Sequence, residues 1–505
     1  MSDPRRRRSL VTSACALVAI TGCGASVGTK ESQPQPVIVP ADPTTPPPVK
    51  EADPVTPAPD HGSVSTSYPA FKPSVPQIIR KPGRILKNPV IVTVTWNDDP
   101  NVVALEGVGD QIGASSYWKE IVAEYGVGPT TSGAANHVHL ATPIVLPTGA
   151  NDDTGKPIVD LITNALTNTT ASGWPAPTDQ TLYLVYLHGA NADTLCRSGA
   201  GGYHDDLKVG ALNIPFAVTA ACSSKGSPTS ALDSATITAT HEIAEAATDP
   251  LPTTASAWSG LQDADLAWEL LQSGQDENGD MCEFYDGVEG TFGLPQLAFP
   301  VQRQWSNAAA LAGHSPCVPQ PKAETNINVA PLDTFDTVTA KLDPRQIPFN
   351  PESKGYVVAA GGTRKIPLGL YSDGPTSGFA IEAFEASAFN FDGSPFDPTR
   401  TPLLTVALDR TSGQNGEKAY LSVTVNSVAP EKVHLVVVRS TLGATVHYMP
   451  ILIGDNGAPG KHAVQARKLF SDGRHGAAWH RVSRSTSLGR LAAWGSRWGP
   501  DPDPR

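Results

Sequence analysis

The chain has 505 residues, too many for one ordinary core and enough for about two to four domains. Its 47 prolines and 45 glycines point to linkers, whereas 17% charged and 40% hydrophobic residues suit folded domains elsewhere. A formal net charge of −12 excludes nucleic-acid binding by the body of the protein, because phosphates demand Lys and Arg.

Arg5 to Arg8 form a positive stretch ahead of an apolar run, Leu10 to Ile20, that is too short to span a bilayer as a helix. "ITGC" follows at Ile20 to Cys23 and resembles the lipobox of bacterial lipoproteins. The resemblance implies cleavage before Cys23 and lipidation of that residue, with each buried methylene contributing about 0.8 kcal/mol of membrane affinity. It also implies a lipid anchor in the bacterial envelope, at the outer membrane or cell surface. An ordinary secretory signal with a chance cysteine is the alternative, and either reading exports the protein. Loss of residues 1 to 22, with four arginines and one aspartate, takes the net charge from −12 to −15.

Residues 23–84 are dominated by Pro, Thr, Ser and Asp and are expected to form an extended, disordered tether. Order is expected from "ILKNPVIVTVTW" at 85–96, a β-branched strand. "SSYWKEIVAEYGVG" at 115–128 sets Tyr117, Ile121, Val122 and Tyr125 at helical spacing. "KPIVDLITNALTN" at 156–168 predicts a second helix and "QTLYLVYLHGA" at 180–190 a central strand, so residues 85–320 read as an α/β or α+β domain, a mixed sheet with helices. From 321 to 460, runs such as "RKIPLGLYSD" and "KAYLSVTVNS" alternate apolar and polar residues between turns. They predict an all-β, immunoglobulin-like antiparallel sandwich with an accessory or binding role. Residues 461–505 are basic, aperiodic and expected to be a disordered tail, with anionic surface polymer as a candidate contact.

Cys196, Cys222, Cys282 and Cys317 are an even set in an exported chain and imply two disulfides. Sequence order favours Cys196–Cys222 and Cys282–Cys317, although four cysteines permit three pairings. The absence of a C-x-x-C spacing argues against a thiolate zinc site or a thioredoxin-like redox site.

The chemistry centres on "THEIAEAATDP" at 240–250, on a helix expected to start near Asp233 or Ser234 and to stop before Pro250. His241 and Glu245 stand one helical turn apart, so both could reach one cation, with Glu242 beside them to act on a water. Zinc accepts a carboxylate ligand, so H-E-x-x-E retains the capacity of H-E-x-x-H while being less specific. Ser234, Thr238, His241, Glu245 and Thr248 fall on one stripe, with Ala239, Ile243, Ala246 and Ala247 opposite. The competing expectation is therefore a solvated polar stripe on a surface helix, without metal.

The ordered segments "GYHDD" (202–206), "ATHEIAEAATDP" (239–250), "AWELLQSGQDENGDMCE" (267–283), "VQRQWSN" (301–307) and the cysteine at 317 are together similar to the EXORDIUM, or phosphate-induced, protein family. The resemblance covers roughly residues 85–320. It implies a zincin-like active helix with His241 and Glu245 as metal ligands and Glu242 as general base. His204, Glu277 and Asp280 are then the candidates for the missing ligand, since three protein ligands suffice for a catalytic zinc. Amide hydrolysis of a peptide is the leading reaction, with a cell-surface polymer as another substrate class. Plant members of the family lack an established catalytic activity, so a non-catalytic surface protein with a structural or vestigial metal site is the alternative. "DENGD" at 276–280 resembles the start of a calcium loop, but its glycine is misplaced and Gly287 stands where the twelfth-position Glu belongs; calcium is thus a weak second metal. His204 also reads as a surface histidine near a disulfide, and Trp305 as core in preference to a substrate platform.

Overall fold

A computed structural model of the chain describes residues 59–458, apart from 142–143, 147–154, 198–200, 223–229, 273–275, 286–293, 295, 342–350, 387–400 and 456. The expected signal segment, Cys23, most of the expected tether and the basic tail lie outside the described residues. Those from Asp60 onward belong to one compact unit.

The first sheet contains β1 (Val90–Trp96), β2 (His137–Leu140), β3 (Thr181–Leu187), β4 (Gly202–Val209) and β5 (Leu212–Ala220), in the spatial order β2-β1-β3-β5-β4. All pairs are parallel except β4–β5, which places an antiparallel strand at one edge. Helices α1 (Val102–Ile112), α2 (Ser116–Val122), α3 (Lys156–Thr167), α4 (Thr169–Ser172), α5 (Ala190–Arg197) and α6 (Ala231–Thr248) accompany it. Strand β3 has no polar alternation because both of its faces are covered. Leu182, Leu184 and Tyr186 enter the core shared with α1, α2 and α6, while Tyr183, Val185 and Leu187 enter the one shared with α3 and α5.

Two local features position the chemistry. Strands β4 and β5 are joined by a two-residue turn in which Gly210 adopts a φ of 59°, a conformation that suits glycine. The hairpin sets His204 opposite Ala217. Helix α6 begins at Ala231, earlier than expected, because Ser230 caps it by accepting the Asp233 N–H at 3.0 Å. At its other end the Asp249 carboxylate accepts the Ala257 N–H at 2.6 Å and the Ser256 hydroxyl at 2.8 Å, fixing the loop after Pro250.

The chain then forms α7 (Leu266–Leu271), α8 (Asn278–Tyr285), the short strand β6 (Gln304–Trp305), α9 (Asn307–Ala312) and β7 (Cys317–Val318), which pairs with β6. Eleven further strands follow among the described residues: β8 (Ile327–Pro331), β9 (Asp336–Thr339), β10 (Glu352–Val357), β11 (Thr363–Ser372), β12 (Phe379–Glu385), β13 (Leu404–Leu408), β14 (Ser412–Gly413), β15 (Lys418–Val425), β16 (Val433–Leu442), β17 (Thr445–Gly454) and β18 (Gly457–Ala458). They make a seven-stranded sheet, β14-β12-β16-β17-β10-β9-β18, and a four-stranded sheet, β13-β15-β11-β8. Apolar residues of both sheets share one core, as the alternating pattern requires. The expectation of purely antiparallel pairing fails at β10–β17, which is parallel.

Two expected boundaries are corrected. The tether is expected to run to residue 84, yet its described part packs on the body. The Ile79 N–H donates to Gly260 O at 3.0 Å, the Ser65 N–H to Asn415 O at 2.7 Å, and Ile78 is buried. Proline-rich composition makes a segment extended, but an extended strand with free backbone groups can also pair with neighbouring loops. The division at residue 320 does not separate two cores either, because Leu266, Trp268, Tyr285 and Trp305 belong to the same cluster as the β-sheet residues Val436, Ile451 and Leu370. Trp305 is core, fully buried.

Both disulfides fall on the sequence-order pairing, Cys196–Cys222 and Cys282–Cys317, and such bonds belong to an oxidising compartment. No helix among the described residues is long and apolar enough to cross a membrane.

Where α8 meets the β-sheets, the His447 ring stacks on Tyr285 at 4.8 Å and its Nδ1–H donates to Ile327 O at 2.8 Å. Burial pushes this imidazole down to about 4, against about 6.5 when unfolded. Between those values the unfolded chain binds the extra proton, so His447 costs nothing above pH 6.5 and destabilises the fold progressively as pH falls to 4. The loss should approach roughly 3 kcal/mol, at about 1.36 kcal/mol for each pH unit separating the two values. Urea unfolding at pH 7 and pH 4.5 should give a smaller difference for His447→Gln than for the wild type. Equal differences would show that His447 is not held neutral by burial.

Candidate metal centre

The helix carrying H-E-x-x-E is enclosed, not exposed. His241 is 8% exposed, Glu242 4% and Glu245 2%, which overturns the expectation of a solvated stripe. The alanine side of α6 packs on the first sheet, and the opposite side is covered by α8 and by the segment around Gln302. Amphipathic spacing alone could not distinguish this covering from solvent.

Four segments converge on the motif. From α6 come His241, Glu242 and Glu245; from the edge strand β4, His204; from the turn before α8 and its first turns, Glu277, Asp280 and Glu283. His241 Nε2 lies 3.0 Å from Glu245 Oε2 and 3.5 Å from Asp280 Oδ1. His204 Nδ1 lies 3.4 Å from Glu245 Oε2 and 3.6 Å from Glu242 Oε2, and its Nε2 lies 3.4 Å from Glu277 Oε2. Ligands on a tetrahedral ion with bonds of about 2.0–2.2 Å are roughly 3.3–3.6 Å apart, which matches this spacing. Among the described residues, three groups have ligand atoms all within 4.8 Å of one another: His204, Glu245 and Glu277; His241, Asp280 and Glu283; His241, Glu242 and Glu245. Residues that could hold a metal ion are therefore assembled, and every ligand proposed from the sequence is among them. His204 is a buried member of the centre, its side chain 5% exposed, and not a surface histidine.

The fourth segment orients the ligands. Gln302 Nε2 donates to Gly279 O at 2.8 Å, which turns Gln302 Oε1 toward His241 Nδ1 at 3.0 Å. Nδ1 thus carries the proton in the neutral ring and Nε2 is left facing the carboxylates, as a metal ligand requires. Gln302 is itself clamped: its N–H donates to Thr240 Oγ1 at 3.0 Å and its carbonyl accepts the Tyr117 hydroxyl at 2.7 Å. Glu245 Oε1 accepts the N–H groups of Gly279 at 3.0 Å and Asp280 at 3.2 Å, leaving Oε2 directed at the histidines.

Two glycines allow this closeness. A Cβ on Gly279 would sit 2.7 Å from both His241 Nδ1 and Glu245 Oε1, and one on Gly202 would sit 2.7 Å from Glu242 Oε1. Sequence reasoning missed Gln302, Glu283 and both glycines as parts of the centre. Their signal was present in "VQRQWSN", "NGDMCE" and "GYHDD", but only the fold gives each residue a role.

Charge follows geometry. Burial opposes ionisation of His241, yet Glu245 and Glu242 outweigh it and hold the imidazole well above its ordinary value. Burial likewise opposes charge on His204, and Glu277, Glu242 and Glu245 overcome it. Burial would raise Glu245, but His241 and His204 keep it below the usual carboxylate range. Burial raises Glu242, Glu277 and Asp280.

The remaining histidines and the calcium-like stretch have other partners. His137 and His139 on β2 pair with Glu106 and Asp110 on α1, and His188 lies 3.6 Å from Asp99, partners that the sequence did not reveal. "DENGD" does not form a calcium loop of its own, because α8 begins inside it at Asn278 and its Glu277 and Asp280 face the histidines of the centre. Asp276 faces Ser259, Asn278 faces Thr248 and Asp280 faces His241. Comparison with models of known protein families gives no match for this chain, and a search of curated proteins gives none either.

Proposed function

We propose that the chain is an exported, lipid-anchored hydrolase of the EXORDIUM-like type that uses a divalent metal, zinc in the first instance, to cleave amide bonds. The observation that carries this reading is Glu242, buried beside a set of histidine and carboxylate atoms at metal-ligand spacing. When bound, the ion supplies a Lewis acid that polarises a carbonyl and acidifies water. His241 and Glu245 are the ligands from α6, Asp280 or His204 completes the set, and Gln302 and the α8 N–H groups hold them in orientation. Burial raises the proton affinity of Glu242 toward the range useful in a general base, and this residue takes the proton of the attacking water. With Asp280 as the third ligand, two carboxylates and one histidine would neutralise the ion more than a two-histidine set and weaken it as a Lewis acid, so turnover should be modest.

The anchor in this reading is Cys23, and the location is the bacterial envelope. The β region, with eleven strands among the described residues, is an immunoglobulin-like accessory part of the same body, and the substrate is a peptide or a peptide-bearing surface polymer. A structural metal in a non-catalytic binding protein is the second reading, favoured by the low exposure of Glu242.

Metal content tests the proposal. The full chain, equilibrated with zinc chloride and dialysed, should retain zinc by elemental analysis, whereas His241→Ala should lose at least about tenfold in affinity. Zinc must displace protons from the histidines, so retention should weaken as pH falls. A wild-type chain that retains none would sink the metal reading.

A further inference from the structure

Resting on the metal reading above, we infer that the centre holds two divalent cations that share Glu245, rather than one. Each of two groups supplies one histidine and two carboxylates, and the histidines fall in separate groups: His241 with Asp280 and Glu283, His204 with Glu245 and Glu277. Glu245 Oε2 is the common neighbour, 3.0 Å from His241 Nε2 and 3.4 Å from His204 Nδ1. An oxygen shared in this way is how hydrolases hold paired metals about 3.5–4 Å apart.

A second observation points to an ion on the His204 side. His204 Nε2 is buried and makes no hydrogen bond in the described structure, and the same is true of Glu277 Oε1. The His204 side chain is 5% exposed, so water does not satisfy it from bulk solvent. A single ion held by His241, Glu245 and Asp280 would leave His204 Nε2 with only its 3.4 Å approach to Glu277 Oε2, and Glu277 Oε1 with no hydrogen bond. Placed between His204, Glu277 and Glu245, a second cation would engage this buried half of the centre.

Net charge agrees. Glu242, Glu245, Glu277 and Asp280 bring four carboxylates to two histidines. The described ion pairs of Glu242, Glu245, Glu277 and Asp280 are all to histidine, with no Lys or Arg among them. With neutral histidines and these four carboxylates ionised, one divalent ion leaves an excess of two negative charges and two ions leave none.

The test is metal stoichiometry on the full chain. Loaded with zinc chloride and dialysed, the wild type should retain two zinc ions per chain and His204→Gln one, with Glu277→Gln as a second variant that also retains one. Loaded with manganese, the wild type should show the broadened electron paramagnetic resonance signal of a spin-coupled pair, and His204→Gln the six lines of an isolated ion. Circular dichroism checks that each variant is folded. One zinc per wild-type chain, unchanged in His204→Gln, would overturn the pair and leave His204–Glu277 as an ion pair while sparing the single-metal reading. No zinc in the wild type would overturn both.

Discussion

Replacing Glu242 with glutamine is expected to lower hydrolysis by about 10²–10⁴-fold, the usual contribution of a general base, while bound metal is retained. The substitution keeps the shape of the side chain and removes its capacity to accept a proton. Burial already disfavours the charge on Glu242, so replacing the carboxylate with a neutral amide removes that cost and the fold should survive. The glutamine would still fit beneath Gly202, whose missing Cβ leaves room for the side-chain oxygen of residue 242. Turnover of a fluorogenic peptide mixture, with zinc content measured on the same sample, checks the expectation. Cleavage that persists at wild-type rate in Glu242→Gln removes this residue from the mechanism. A zinc-replete wild type that cleaves nothing favours the structural-metal reading.

A fragment ending at residue 320 should lose cooperative folding, although composition marks that position as a domain boundary. Trp268 and Tyr285 stack with ring centres 6.1 Å apart, and Tyr285 meets Trp305 edge-on at 5.7 Å. All three are buried in a core completed by strands from beyond residue 320. Polar contacts tie the same surfaces: Ser353 Oγ accepts the Leu266 N–H at 3.2 Å and donates to Ala264 O at 2.8 Å, while Arg303 pairs with Glu324 at 2.6 Å. Burying one large aromatic side chain contributes about 4–6 kcal/mol at ~25 cal/mol per Å². Exposing half the surface of two such rings removes roughly 4–6 kcal/mol, a large part of the about 5–15 kcal/mol that stabilises a typical domain. Loss would also reach the centre, because α8 carries both Asp280, which faces His241, and Tyr285, which enters the shared core. Urea unfolding of fragment 59–320 against 59–458 measures the effect, and a fragment as stable as the longer chain would show that the shared core is dispensable.

The histidine and carboxylates of "THEIAEAATDP" were legible without coordinates because a turn of α-helix spaces residues i and i+4 on one side, whatever the helix packs against. The same holds for the covered strand "TLYLVYL" and for the alternating β-strands after residue 351, whereas sequence order only favoured one of the three pairings open to the four cysteines. Other elements were not legible. The edge strand β4 is neither strongly apolar nor strictly alternating, and β2 spans only four residues whose histidines satisfy charges on α1.

By itself, then, the sequence determined which residues could bind a cation, since ligand chemistry is a property of side chains and their helical spacing. Only the tertiary structure decided that they meet: β4 turns back beside β5 to deliver His204, α8 covers α6 to deliver Asp280, and Gly279 lets the two helices approach. The Glu245 carboxylate and the Gly279 N–H that it accepts are 34 positions apart, and His241 and Gln302 are 61 apart. Burial and chain reversal set such contacts, and local spacing carries no record of them.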